Sequence, residues 1–215
     1  QSFNLVGQTP QVWGQAGSVV CFFNPGVMTV NSQGVLRVAN AYDGSHQNNR
    51  CMSQFQPDGT QLANWSIPAV YNNVTGDAND NVYGLRQVSN TSPLEYIVDK
   101  FDNTGHPVYS RKMNDLKEVN GFAVDGNGNI YVDGNTASNQ DQMDILDSAT
   151  GDWKKTSTIS FYDTYALAVN KANNLYVARH NNNSSSTVLK FDSNEKQLAA
   201  FAGNSEYNWL LSISV

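Results

Sequence analysis

One phrase constrains this chain more than any other, because the chain repeats it. At residues 121–132 it reads Gly-Phe-Ala-Val-Asp-Gly-Asn-Gly-Asn-Ile-Tyr-Val. Phe122, Ala123 and Val124 are apolar without polar alternation, as a deeply buried strand is. Asp125-Gly126-Asn127-Gly128-Asn129 supplies residues that tolerate the positive φ of a hairpin turn. Ile130, Tyr131 and Val132 are β-branched or aromatic and suit a half-buried strand. Copies stand at 27–38, 74–83 and 167–177, and a half-copy, Leu-Ser-Ile-Ser-Val, ends the sequence at 211–215. The interval is roughly 44 to 48 residues, the period of a four-stranded propeller blade.

A second phrase follows each copy at a set delay, at 54–59, 100–105, 145–151 and 190–194. Each is a strand end with a large apolar residue running into a polar turn. Looser strands follow at 62–67, 108–112, 153–159 and 198–201. Every repeat therefore reads strand A, turn, strand B, long loop, strand C, turn, strand D. One such sheet cannot cover both of its faces, and stacking the sheets around an axis solves that. The expected fold class is an all-β propeller of four-stranded blades.

The pairing of Ala-Val-Asp-Gly-Asn-Gly-Asn-Ile-Tyr-Val with Lys190-Phe191-Asp192-Ser193 resembles the NHL-repeat β-propeller family. The opening Trp13-Gly14-Gln15-Ala16-Gly17-Ser18 through Phe23-Asn24-Pro25 is similar to the way such arrays begin. The resemblance implies a propeller and says little about activity, since the fold serves enzymes, scaffolds and binding modules alike. The family's usual Ala-Asp ending of strand B is replaced by Ala39-Asn40, Val132-Asp133-Gly134 and Ala178-Arg179.

The repeats place four blades in a single domain, at about 27–67, 74–112, 122–159 and 166–202. A propeller hides its strand edges by closing. The sequence expectation is a fifth blade, with its inner strand from 209–215 and its outer strands from 1–23. An alternative is a piece of a six-bladed array. Another is pairing of the terminal strands with other copies of the chain.

Apolar residues make up 40% of the chain and charged residues only 15%, too apolar for disorder. A net charge of −6 without a basic run speaks against nucleic acid as a partner. No run of about 18 apolar residues offers a membrane-spanning helix. The sequence opens at Gln1 rather than Met, which suggests a mature, secreted chain. Five Asn-x-Ser/Thr sites, at Asn64, Asn73, Asn90, Asn182 and Asn183, point the same way as glycosylation candidates. Cys21 and Cys51 are candidate disulfide partners. A bridge closing that loop of about 30 residues would contribute roughly 3–4 kcal/mol, and two buried thiols are the alternative.

No catalytic set is read. His46, His106 and His180 fall in loops or turns, whereas family lyases hold metal with histidines around the central channel. Asp77, Asp80 and Asp125 read as turn formers rather than a calcium loop, which needs more oxygen ligands and a closing Glu. Asp133, Asp141 and Asp144 surround a polar loop and form a weak cation candidate. Gluconolactonase-type propellers use a Glu, Asn and Asp set around calcium, and of Glu95, Glu118, Glu195 and Glu206 only Glu118 stands near a strand-A start here. The expectation is no metal and no cofactor. Tyr71, Tyr165 and Tyr207 precede strand A at similar offsets, with Trp209 beside the last. These are read as blade packing, or alternatively as ligand-face aromatics for sugar. The functional expectation is a secreted, glycosylated structural or protein-interaction module, partnering other chains or its own copies through its terminal strands. A lectin-like, carbohydrate-binding propeller is the alternative, and a metal-dependent hydrolase or lyase is the third reading.

Overall fold

The computed structural model describes residues 25–40, 50–88, 94–113, 116–159, 164–181 and 185–202. They form sixteen strands in four antiparallel sheets, each running in chain order from one edge to the other. The first sheet comprises β1 (Pro25–Val30), β2 (Leu36–Asn40), β3 (Cys51–Phe55) and β4 (Trp65–Ser66). The second has β5 (Asn73–Gly76), β6 (Val82–Val88), β7 (Glu95–Phe101) and β8 (Pro107–Lys112). The third has β9 (Leu116–Val124), β10 (Asn129–Thr136), β11 (Asp141–Asp147) and β12 (Trp153–Thr156). The fourth has β13 (Thr164–Val169), β14 (Leu175–Asn181), β15 (Ser185–Phe191) and β16 (Gln197–Ala202). The chain divides into a smaller unit, Gln1–Val70, holding the first sheet, and a larger unit, Tyr71–Val215, holding the other three.

The described residues thus form four blades, which corrects the expectation of five, and the six-bladed alternative gains no support either. The extra blade was counted from a half-copy. Residues 211–215 repeat only the first strand of the phrase. Those residues, and 1–23 assigned to the same blade, lie outside the described residues.

The A–B hairpins repeat one device. In the third blade Asp125 Oδ1 accepts the backbone N–H groups of Asn127 (2.9 Å) and Asn129 (2.8 Å). Its Oδ2 accepts from Asn129 Nδ2 and from the Tyr131 hydroxyl, both at 2.9 Å. Asp77 repeats all four bonds with Asn79, Asn81 and Tyr83. Asn170 keeps the two backbone bonds and donates to Tyr176 Oη at 3.3 Å. Asn31 keeps the backbone pair, and Arg37 takes the tyrosine's place and reaches Gln54 (3.3 Å). The turn then passes through one positive-φ residue in each blade: Gly34, Asp80, Gly128 and Asn173. A side-chain acceptor thus satisfies turn donors that the ladder cannot reach.

In the larger unit β9 lies beside both β5 and β13. Two apolar seams result. Tyr83, Leu85, Val98, Phe122, Val124, Ile130, Val132 and Leu146 fill the seam between the second and third blades. Ala123, Tyr131, Met143, Ile145, Leu167, Leu175, Val177 and Phe191 fill the next. Alternate residues of β10 therefore serve opposite seams, as the two-residue period of a strand requires. β9 starts earlier than the sequence suggests, at Leu116, and follows β10 through two bulges. Gly134 makes this approach possible, because a Cβ there would lie 2.0 Å from the Glu118 carbonyl oxygen.

Candidate functional site

The outer ends of the two seams differ, and the difference builds a groove. In each C–D turn an aspartate accepts backbone N–H groups: Asp102, Asp147 and Asp192 in the larger unit. The turn then passes a left-handed position, held by Gly105, Gly151 and Glu195 respectively. At Gly151 (φ 76°) a Cβ would lie 2.5 Å from Arg111 Cγ and 2.7 Å from Tyr109 Cε2. Glycine there lets the second blade's outer strand close over the third blade's turn.

The contact is polar. The Ser148 carbonyl oxygen accepts from Lys100 Nζ (2.7 Å) and Tyr109 Oη (3.3 Å), and Tyr83 Oη, whose proton goes to Asp77, lies 3.4 Å away. Lys100 also lies 5.1 Å from the Tyr83 ring centroid. Beside this junction a groove of about 130 Å³ opens among Arg111, Met113, Asp144, Leu146, Asp152 and Trp153. Trp153 opens β12 in the register that Pro107 and Gln197 hold in the neighbouring blades. Its side chain stays 56% exposed although its Nε1–H points inward to Asp144 Oδ1 at 3.4 Å. Asp144 is buried and also accepts from Gln142 Nε2 (3.0 Å) and Thr156 Oγ1 (2.9 Å). Arg111 Nε faces Asp152 at 3.5 Å, with both side chains substantially exposed.

At the other seam Glu195 closes the corresponding space. Its carboxylate pairs with Lys155 and accepts from Thr158 N (2.9 Å) and Oγ1 (2.5 Å). Burial works against its charge, yet the bonds from Lys155 and Thr158 hold its carboxyl down to about 2.

The second difference is internal. Asp133 is 1% exposed on β10, and its side chain shares a face with Tyr131, toward the fourth blade. Burial pushes its carboxyl up to about 7; the Thr164 hydroxyl lowers it somewhat and the charge of Asp141 raises it. Neither Asp133 oxygen has a well-formed hydrogen bond, nor does Thr164 Oγ1. The same position, three residues after the first apolar residue of strand B, holds Ala39, Leu85 and Ala178 in the other blades, all buried.

The structure sets Asp144 apart from Asp133 and Asp141, which the sequence groups with it around one loop. β10 and β11 run on almost to a tight turn at 136–140, so Asp133 and Asp144 are strand residues. They point to opposite faces of the sheet. Among the described residues no three His, Cys, Asp or Glu side chains gather as a metal site would require. Tyr71 is buried, its ring lies over Gly84, and its hydroxyl donates to Asp99 Oδ2 at 3.0 Å. Asp99 also takes Arg86 Nε (2.6 Å) and Ser110. Tyr165 is half-buried on β13, and Tyr207 and Trp209 lie outside the described residues. Of the glycosylation candidates, Asn64 is half-buried and accepts from Gln61 Nε2 at 3.2 Å. Asn73 is half-buried and opens β5, one step beyond the D-to-A connection where the sequence suggests it. Asn90, Asn182 and Asn183 lie outside the described residues. Cys51 is buried on β3 with Asn40 Nδ2 at 3.7 Å from its sulfur, and Cys21 lies outside the described residues. Trp153, Arg111 and Asp152 escaped the sequence reading. Trp153 reads there as one more strand aromatic, and the glycine that opens the groove reads as an ordinary turn residue.

No protein-family model and no curated protein matches the chain, so the NHL resemblance has no independent support. Solved structures do match. A gluconolactonase from Xanthomonas campestris is 16% identical, with a TM-score of 0.52 over 80% of this chain and 59% of that one. A protein from Lactobacillus plantarum is 14% identical, with a TM-score of 0.52 over 83% and 56%. U3-55K is 12% identical, with a TM-score of 0.55 over 83% and 51%. The chain spans little more than half the length of each. At such identities the likeness concerns architecture alone, and that architecture is the β-propeller of four-stranded blades.

Proposed function

We propose that the chain is a secreted, N-glycosylated β-propeller module with a structural or protein-interaction role, joined to other chains or its own copies through its terminal strands. One observation carries this reading. The polar side chains of the repeated turns are consumed in holding hairpins, as the four-bond locks of Asp77 and Asp125 illustrate. The buried chemistry serves a rigid scaffold, and recognition falls to the surface. Intact mass before and after deglycosylation, with thiol counting, tests the extracellular part on protein from a secreting eukaryotic host. Glycan mass and an oxidised Cys21/Cys51 pair are expected; an unmodified mass with two free thiols overturns it. Sedimentation with and without residues 209–215 tests the assembly part, which fails if the truncation leaves the sedimentation coefficient distribution unchanged.

A second reading, carbohydrate binding, is favoured by the half-exposed Trp153 at a polar groove. The gluconolactonase likeness bears on architecture, and a metal-dependent hydrolase reading awaits elemental analysis for bound calcium or zinc.

A further inference from the structure

We infer that the groove between the second and third blades is a subsite for one hexopyranose ring. This inference rests on the carbohydrate-binding reading and adds the place and the chemistry. At about 130 Å³ the groove falls well below the roughly 300 Å³ at which sites for drug-sized ligands begin. It has room for a single ring. Trp153 supplies a flat apolar surface with its edge anchored: the indole N–H is tied to Asp144, which Gln142 and Thr156 hold in turn. An anchored, exposed aromatic is pre-organised, so binding costs little side-chain ordering.

A hexopyranose has complementary surfaces. Its axial C–H groups make one face apolar enough to lie on an indole, through dispersion contacts that are small singly and sizeable in sum. Its rim of hydroxyls both donates and accepts. Arg111 and Asp152 stand at the groove 3.5 Å apart and substantially exposed, one offering only donors and the other only acceptors. That pairing suits vicinal hydroxyls. A free anion would meet Asp144 and Asp152 together, and a purely apolar side chain would strip both members of the ion pair of water without replacing it. The site exists at this seam because Gly151 leaves space for the Arg111 stem, whereas Glu195 occupies the matching space at the next seam.

The test has two arms. A glycan array on the intact protein asks whether it binds sugar at all. NMR titration of the tryptophan indole N–H resonances with methyl α-mannopyranoside, methyl β-galactopyranoside and methyl β-glucopyranoside asks where. At least one glycoside should move the Trp153 resonance saturably, with a Kd of about millimolar order. Trp153→Ala should weaken array binding about tenfold or more. Arg111→Gln, which removes the exposed guanidinium from the groove and leaves the indole in place, should weaken the titration of the Trp153 resonance with the melting temperature moved by no more than a surface substitution moves it. Array binding that survives W153A and R111Q undiminished overturns the site and leaves the carbohydrate reading standing. A silent array with a static Trp153 resonance overturns both. A Trp153 resonance that moves with a proline-containing tripeptide and with none of the three glycosides also overturns the site.

Discussion

The two seams of the larger unit are built from the same repeat and reach opposite solutions. Between the second and third blades, Leu85 and Val119 belong to a continuous apolar level, and the outer end is an open groove. Between the third and fourth, Asp133 and Thr164 put a carboxyl and a hydroxyl at that inner level, and the outer end is clamped by Glu195. One seam keeps its polar groups at the rim, where they can meet a ligand. The other buries a carboxyl that has no well-formed hydrogen bond. A repeat fixes backbone register, but each seam chooses its own chemistry at the few positions where neighbouring blades touch.

The largest test transplants the difference. Leu85→Asp gives the apolar seam the other's buried carboxyl and should cost about 3–5 kcal/mol at pH 8, measured by urea unfolding. A cost under about 1 kcal/mol would mean that water reaches this level and that the seams are not as distinct as their burial indicates.

The reciprocal change, Asp133→Ala, restores the residue type of Ala39 and Ala178. Its sign follows from linkage. The folded carboxyl titrates near 7 and the unfolded one near 3.8, so the native state holds the extra proton between those values. Stability from this group is therefore full below about pH 4 and is lost as pH rises through 7. D133A should gain roughly 2–4 kcal/mol at pH 8, and the gain should shrink toward zero near pH 4. A gain independent of pH would show that Asp133 does not titrate as its burial requires.

The hairpin locks should not distinguish the seams. Asp77→Ala and Asp125→Ala each strand a tyrosine hydroxyl and two turn N–H groups, and each should cost about 2–3 kcal/mol. Asp125→Asn should lose less than half of that, since Asn170 already works in the fourth blade. Unequal costs for the two alanine variants would place part of the seam difference in the turns.

The smallest effect concerns the clamp. Glu195→Gln should cost about 1–2 kcal/mol, with the Lys155 part falling at high salt because that lysine is exposed. The folded carboxyl is held down, so its contribution is present above about pH 4.5 and fades as pH falls toward 2. Variant and wild type should then converge in acid.

Much of the fold was legible in the sequence because the repeat carries its own punctuation. The turn phrases placed all four A–B hairpins, and the positive-φ residues fell inside them, including Gly128 in the founding copy. The count of five rested on 209–215 and 1–23, which lie outside the described residues, and the described residues form four blades. The seams were illegible for a geometric reason. Alternation along β10 reveals that Tyr131 and Val132 face opposite ways, but not which neighbour each meets. Asp133 therefore looked like a loop residue beside Asp141 and Asp144, when it ends a buried row. Trp153 could be flagged only once Gly151 was known to sit beneath Arg111, a pairing of residues forty positions apart.

The Ser148 carbonyl carries one more lesson. Two donors from the second blade, Lys100 and Tyr109, converge on a main-chain oxygen with the Tyr83 hydroxyl alongside. No replacement at position 148 can delete that acceptor, so the joint is buffered against mutation on one side and wholly exposed to it on the other. Covariation between the two blades would not register it, since only Tyr83, Lys100 and Tyr109 can change. Joints of this kind let a divergent repeat drift in sequence while its sheets stay in step.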